Sequence, residues 1–144
     1  MAQVRISRFE WAVIAAVAAI ALLAMVVVEA QSERMAMTLA IRNMRSGLQL
    51  AMAERLMRGE ENRIPELAVA NPLEFLGRQD GSGSSAWGDW QFDTSHHELV
   101  YRPMIAMAFD VRHELRWHIE GTPGPGGRVN GMRLVEMSPP QAGH

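Results

Sequence analysis

The residues of this chain that are best suited to chemistry lie in one short stretch, "DTSHHE", at residues 93–98. Imidazole and carboxylate groups together can bind zinc or another transition metal. The two histidines, His96 and His97, are adjacent, and their spacing matches no established metal motif. Polar clusters of this kind are also typical of a solvated hairpin tip. We therefore predict a turn here, with no metal site and no cofactor.

The composition argues against several other functional classes. The 144 residues include no cysteine, which excludes disulfides and thiol catalysis. Fourteen basic residues, all arginine, stand against sixteen acidic ones, so charge provides no argument for binding nucleic acid. The chain contains neither a G-x-S-x-G nucleophile elbow nor a P-loop. We expect no enzyme and no nucleic-acid partner.

The N-terminal segment predicts a membrane-spanning helix. Residues 11–28 form an 18-residue run without charge or proline. As a helix this run is about 27 Å long, close to the roughly 30 Å hydrocarbon core of a bilayer. Arg5 and Arg8 precede the run, and Glu29 and Glu33 follow it. The positive-inside rule then predicts a single span, with a cytoplasmic N-terminus and an exported C-terminal domain.

A cleavable signal peptide is the alternative for this segment. Val28, Glu29 and Ala30 form an acceptable small-x-small cleavage site. The apolar run is longer than the usual 7–15 residue core of a signal peptide, which favours an anchor. Cleavage after Ala30 would instead release a secreted soluble protein.

The helical pattern continues past the membrane to about Arg58. Apolar residues recur there at steps of three and four, which predicts one buried stripe on an amphipathic helix. Gly59 follows as a helix stop. The stripe comprises Met37, Ile41, Met44, Leu48, Ala51 or Met52, and Leu56.

Beyond residue 59 short helical turns give way to strands. Within residues 64–78, Asn71 and Pro72 predict the start of a short helix. The period then changes to two, which predicts a hairpin from 89–93 and 98–103, a third strand within 108–121 and a fourth within 128–137. We expect one face of the hairpin, with Trp90, Phe92, Leu99 and Tyr101, to pack on the helix stripe of Ile41, Met44, Leu48 and Met52.

The predicted fold class is α+β, with a long N-terminal helix packed on a small antiparallel sheet of three to four strands. An 86-residue unit buries little surface alone, so the exported half of the helix supplies the missing apolar face. The predicted segments are a basic N-terminus (1–10), a transmembrane helix (11–28), its exported half (29–58), the sheet domain (59–137) and a disordered tail (138–144).

This order of features resembles the type IV pilin and type II secretion pseudopilin superfamily. The shared features are a short basic N-terminus, an acidic residue at the edge of an apolar helix, and the same helix continuing into a small antiparallel sheet. The segment "NPLEFLG", a glycine-rich loop and "GDWQFDTSHHELVYRP" are also similar to the hairpin region of pilin-like proteins.

The resemblance implies an assembly role for Glu10. In the family, a glutamate at the fifth mature position neutralises the N-terminal amine of a neighbouring subunit. Ile6 would then be the first mature residue, although Arg5 stands where the family has glycine, and the family's helix-breaking proline and cysteine pair are absent. Arg5 or Arg8 of the same chain is the alternative partner of Glu10, and a solvated glutamate favoured by the helix dipole is the purely structural interpretation. The implied partners are other pilin-like subunits or assembly-platform proteins.

The same segments are also compatible with a different class of function. A membrane-anchored periplasmic binding or accessory domain would have the same segments. A cavity lined by Trp87, Trp90 and His118 would favour that function, whereas a solid core between sheet and helix would favour the pilin-like one.

Overall fold

One helix dominates the molecule. The structure, a computed structural model, describes residues 7–76, 89–109 and 113–137. Helix α1 spans Arg8–Met57, 50 residues, or about 75 Å at roughly 1.5 Å per residue. Every residue from 8 to 29 is exposed, and by length and composition this half of α1 could cross a membrane. The predicted tail (138–144) lies outside the described residues.

The end of α1 follows from its last residues. Arg58 caps the helix, and Gly59 adopts a left-handed backbone with φ of 71°. Glycine takes this conformation without the steric cost that a Cβ would add. The chain then turns back, and a 3₁₀ helix at Glu61–Val69 and a second at Pro72–Phe75 lie against α1. The Asn71 side chain caps the second one by accepting a hydrogen bond from the Leu73 backbone N–H.

The sheet has four antiparallel strands in sequential order: β1 (Asp89–Asp93), β2 (Glu98–Arg102), β3 (Leu115–Pro123) and β4 (Val129–Glu136). Cross-strand pairs place Trp90 opposite Tyr101 and Phe92 opposite Leu99, in the register of a hairpin with a four-residue loop. The α+β prediction is confirmed.

The start of the third strand was predicted wrongly. Phe109 was expected within that strand, but residues Ala106–Phe109 form a 3₁₀ helix, and β3 begins only at Leu115. The backbone N–H groups of Met104 and Ile105 donate to a carboxylate on α1 rather than to a neighbouring strand. Hydrogen bonds to α1, rather than strand pairing, therefore hold the backbone at the start of this segment.

The core lies between α1 and one face of the sheet. Ile41, Met44 and Leu48 are buried on α1, and Met37 and Met52 pack partly buried at the same surface. The stripe fades at its end, since Leu56 is 45% exposed. The sheet side of the core contains Leu99, Tyr101, Leu115, Trp117, Ile119, Met132 and Leu134.

Two further contacts fix α1 against neighbouring elements. The Arg45 guanidinium donates from Nε and a terminal nitrogen to the Leu134 carbonyl of β4, at 3.3 and 3.1 Å. Gly47 lies where Phe75 approaches the helix: a Cβ at residue 47 would come within 2.5 Å of the Phe75 carbonyl oxygen. Only glycine allows this approach.

Replacing Gly47 by alanine is therefore expected to destabilise the protein. Alanine gains up to about 1 kcal/mol of helix propensity over glycine, but overpacking against backbone costs roughly 1–3 kcal/mol. We expect a net loss near 1 kcal/mol in denaturant unfolding of the full chain in detergent micelles. Ser46→Ala, on an exposed neighbour in the same helix, is the matched control and should not destabilise. A G47A variant as stable as S46A would contradict the close approach.

Candidate functional site

The first turn of α1 carries the acidic residue that precedes the apolar run. Ser7 and Glu10 form a capping box, in which the Glu10 backbone N–H donates to Ser7 Oγ at 3.2 Å. In return, the Ser7 backbone N–H donates to Glu10 Oε2 at 2.6 Å. Both residues and Arg8 are exposed, and Ile6 lies outside the described residues. The Glu10 carboxylate thus caps the N-terminus of its own helix.

The apolar half of α1 presents small and large side chains to its surroundings. Val17, Ile20 and Leu23 are more than 60% exposed. Soluble proteins rarely expose a continuous apolar surface as long as this one to water. Alanines interrupt this surface and would let another helix approach closely within lipid. They are Ala15, Ala16, Ala18, Ala19 and Ala21.

A buried carboxylate lies just beyond the apolar half. Glu33 is only 2% exposed, although its side chain is ionisable. Its Oε1 accepts hydrogen bonds from the Tyr101 hydroxyl at 2.9 Å and from the Met104 backbone N–H at 2.6 Å. Its Oε2 accepts one from the Ile105 backbone N–H at 3.0 Å. A buried carboxylate needs such partners because its desolvation is costly.

The Tyr101 hydroxyl is held in its neutral form by this environment. Burial raises the pKa of Tyr101, and the hydrogen bond that its hydroxyl donates to Glu33 raises it further. The ring packs between Trp90, at a centroid distance of 4.5 Å, and Phe109, at 5.8 Å. Tyr101 therefore connects the aromatic core of the sheet to α1.

Arg34, the next residue on α1, holds the same segment at its other end. Its Nε donates to the Ala108 carbonyl, and its guanidinium lies 5.9 Å from the centre of the Phe109 ring. We call residues 103–109 the clamped loop, because Glu33 and Arg34 bind it at both ends. This contact joins the second half of α1, near its start, to the sheet domain.

The hairpin tip forms a turn whose polar groups hold one another. Asp93 Oδ1 accepts the backbone N–H groups of Ser95 and His96, and Oδ2 lies 2.8 Å from His96 Nδ1. The bond to His96, followed by the one to Ser95, lowers the pKa of Asp93. His97 adopts a left-handed backbone with φ of 56°, a conformation in which histidine is enriched. These contacts account for the two histidines as turn residues.

The outer face of the sheet carries ion pairs. Arg116 donates to Glu98 at 2.7 Å and also to Glu114, and these two hydrogen bonds raise the pKa of the guanidinium. Arg133 pairs with Glu120 on the neighbouring strand at 2.9 Å. Charged pairs across strands favour this register and keep the face polar.

Two of the residues proposed to line a cavity, Trp90 and His118, are not brought together. Trp90 lies on the inner face, with its ring 5.7 Å from that of the buried Trp117. His118 follows Trp117 in β3 and therefore faces the opposite side of the sheet. Trp87 lies outside the described residues. Within the described part of the chain, no three histidine or acidic side chains are close enough to hold a metal ion.

Two features of α1 were not predicted from the sequence. The capping box has a local signal, Ser-x-x-Glu before an apolar run, at residues 7–10. The burial of Glu33 has no local sequence signal. A buried acidic residue on a helix looks the same in the sequence as an exposed one, because the residues that pack on it are distant in the chain.

Comparison of this chain with protein-family models, with curated proteins and with solved structures finds no match.

Proposed function

We propose that this chain is a pilin-like subunit of a type IV pilus or type II secretion system. The apolar half of α1 anchors it in the inner membrane, with Arg5 and Arg8 in the cytoplasm and the sheet domain in the periplasm. It acts by assembling with other subunits or with platform proteins, and it carries out no catalytic step.

The observation that carries the proposal is the division of α1 into two halves of one continuous helix. Residues 8–29 are exposed and almost wholly apolar, while the second half buries one stripe under the sheet. Exposure of these apolar side chains to water is unfavourable, whereas a helix of this length matches the hydrocarbon core of a bilayer and satisfies its own backbone hydrogen bonds there. The rigid helix then transmits the position of the span to the sheet domain.

The core supports a structural role over a binding role. Trp90, Tyr101 and Trp117 pack on one another rather than around an open space. Together with the buried stripe on α1, they make a solid contact between helix and sheet. This arrangement favours the pilin-like role over the membrane-anchored binding domain.

Cross-linking in membranes tests the assembly role of Glu10. The natural chain has no cysteine, so a single Ala18→Cys substitution reports association of the spans as disulfide-linked dimers. If Glu10 binds a neighbour's amine, Glu10→Ala removes a charge-assisted hydrogen bond. Such a bond contributes roughly 1.5–3 kcal/mol, so dimer yield should fall about tenfold or more.

Ser7→Ala is the matched control for this experiment. It removes the other half of the capping box, at a cost of about 1 kcal/mol to the helix end, but keeps the carboxylate. Dimer yield should survive in S7A and fall in E10A. Equal losses in the two variants would assign Glu10 to capping alone, and an unchanged yield in E10A would remove its assembly role.

The N-terminal residue of the protein in its native membrane is a second test. Intact mass distinguishes a chain beginning at Ile6 from one beginning at Met1. A start at Ile6 would supply the new amine that Glu10 needs. A start at Gln31 would exclude the anchor altogether.

A further inference from the structure

The sheet domain covers α1 down to the point where the helix would leave the bilayer. Ala30 packs against the domain core, directly after the exposed apolar half. Three residues later, Glu33 binds the backbone of the clamped loop at Met104 and Ile105. The base of the domain is therefore level with the first turn of α1 beyond the apolar run.

The depth of this level follows from helix geometry. The apolar run is centred between Ala19 and Ile20. Half of a hydrocarbon core of about 30 Å corresponds to roughly ten residues at 1.5 Å each, so the core ends near Glu29. Glu33 lies about 6 Å beyond that boundary. The headgroup layer on each side is roughly 5–7 Å thick, so the clamped loop meets α1 inside it.

The clamped loop has the composition of a segment that contacts lipid. Its sequence, "PMIAMAF", contains no charged side chain and none with a hydrogen-bonding group. The Met104 side chain is 75% exposed, although exposed loops are usually polar. The backbone N–H groups of Met104 and Ile105 are already satisfied by Glu33, which lowers the cost of leaving water.

We propose that the clamped loop is a second membrane contact, with Met104 inserted into the headgroup layer of the bilayer that α1 spans. The inference rests on the transmembrane anchor of the proposed function. Apolar side chains at such an interface reach about 5–10 Å into the boundary between headgroups and acyl chains. Two contacts with one bilayer would fix the rotation and tilt of the sheet domain, which a single helix leaves free.

Fluorescence quenching of the full chain in vesicles tests this contact. Met104→Cys provides a unique thiol for an environment-sensitive fluorophore, since the natural chain has no cysteine. The labelled protein is reconstituted in phosphatidylcholine vesicles containing a lipid with a shallow nitroxide. We expect a blue-shifted emission and a loss of about half the intensity or more, as the interfacial depth requires.

Two matched probes make the result interpretable. Met57 is similarly exposed, at 80%, but lies about 36 Å farther along α1 than Glu33, the residue that holds Met104. A fluorophore on Met57→Cys should therefore be unaffected by the nitroxide. Leu22→Cys lies within the apolar run. In vesicles whose lipid carries the nitroxide deep in the acyl chain, quenching of this probe reports insertion of α1. Circular dichroism of each labelled variant confirms that the fold is intact.

Each outcome is decisive. Quenching at residues 22 and 104 but not at 57 supports the second contact. Quenching at 22 alone keeps the anchor and overturns the inference. Aqueous iodide, a water-soluble quencher, provides one more comparison. If the fluorophore at residue 104 is protected from iodide and is also not quenched by the nitroxide lipid, a protein surface covers it, and the inference is overturned. Absence of quenching at 22 would reject the anchor itself.

Discussion

Replacing Ile41 by aspartate is expected to unfold the sheet domain. Ile41 is 7% exposed and lies on the α1 stripe that faces the sheet. The variant loses the burial of a large aliphatic side chain and places a charge in the apolar core between α1 and the sheet. We expect a loss of about 4 kcal/mol or more. A loss of this size takes most of the stability of a domain at the lower end of the usual range of roughly 5–15 kcal/mol.

Leu39→Asp is the control for the effect of adding a charge to α1. Leu39 is two residues away and 59% exposed, so the new carboxylate stays in water and stability should change by only about 0.5 kcal/mol. Urea unfolding of the full chain in detergent micelles, followed by tryptophan fluorescence, compares the two. If I41D unfolded at the same urea concentration as L39D, the assignment of the buried stripe would be wrong.

Replacing Glu33 by alanine should have an effect of similar size for a different reason. The substitution leaves the Tyr101 hydroxyl and the backbone N–H groups of Met104 and Ile105 without their acceptor. Each unsatisfied buried donor costs about 1–3 kcal/mol, and water entering the site recovers part of this. We expect a net loss of roughly 3 kcal/mol in the same urea experiment.

Two variants separate the parts of this effect. Glu29→Ala removes an exposed carboxylate one turn earlier and should be nearly silent. Tyr101→Phe removes one donor and leaves Glu33 bound to the loop backbone, so its loss should be smaller than that of E33A. A loss in Y101F equal to that in E33A would mean that the loop contacts contribute nothing. A silent E33A would mean that the carboxylate does not hold the loop.

The helix and the hairpin were predictable because their signals are local. The run at residues 11–28 is uninterrupted by charge or proline, and the stripe with Ile41, Met44 and Leu48 repeats at the helical period. In β1 and β2, alternation around four turn residues determines the pairing of Trp90 with Tyr101. In each case neighbours within a few residues carry the information.

The clamped loop was not predictable for the opposite reason. Its residues are uniformly apolar and show no period, and Phe109 was assigned to the strand that follows. The backbone of this segment is held instead by Glu33 and Arg34, which lie about 70 residues earlier in the chain. The sequence of the loop itself gives no sign that Glu33, so far away in the chain, accepts its backbone hydrogen bonds.

By itself, then, the sequence determined a long helix with one apolar half and one striped half, and strands short enough to form a small sheet. Periodicity and uninterrupted hydrophobicity are properties of consecutive residues, so they can be read without a fold. Only the tertiary structure decided that Glu33 is buried while Glu29 is exposed, and that Trp90 and His118 lie on opposite faces of the sheet. Burial and partnership depend on what packs against a residue, and only the folded chain brings those groups together.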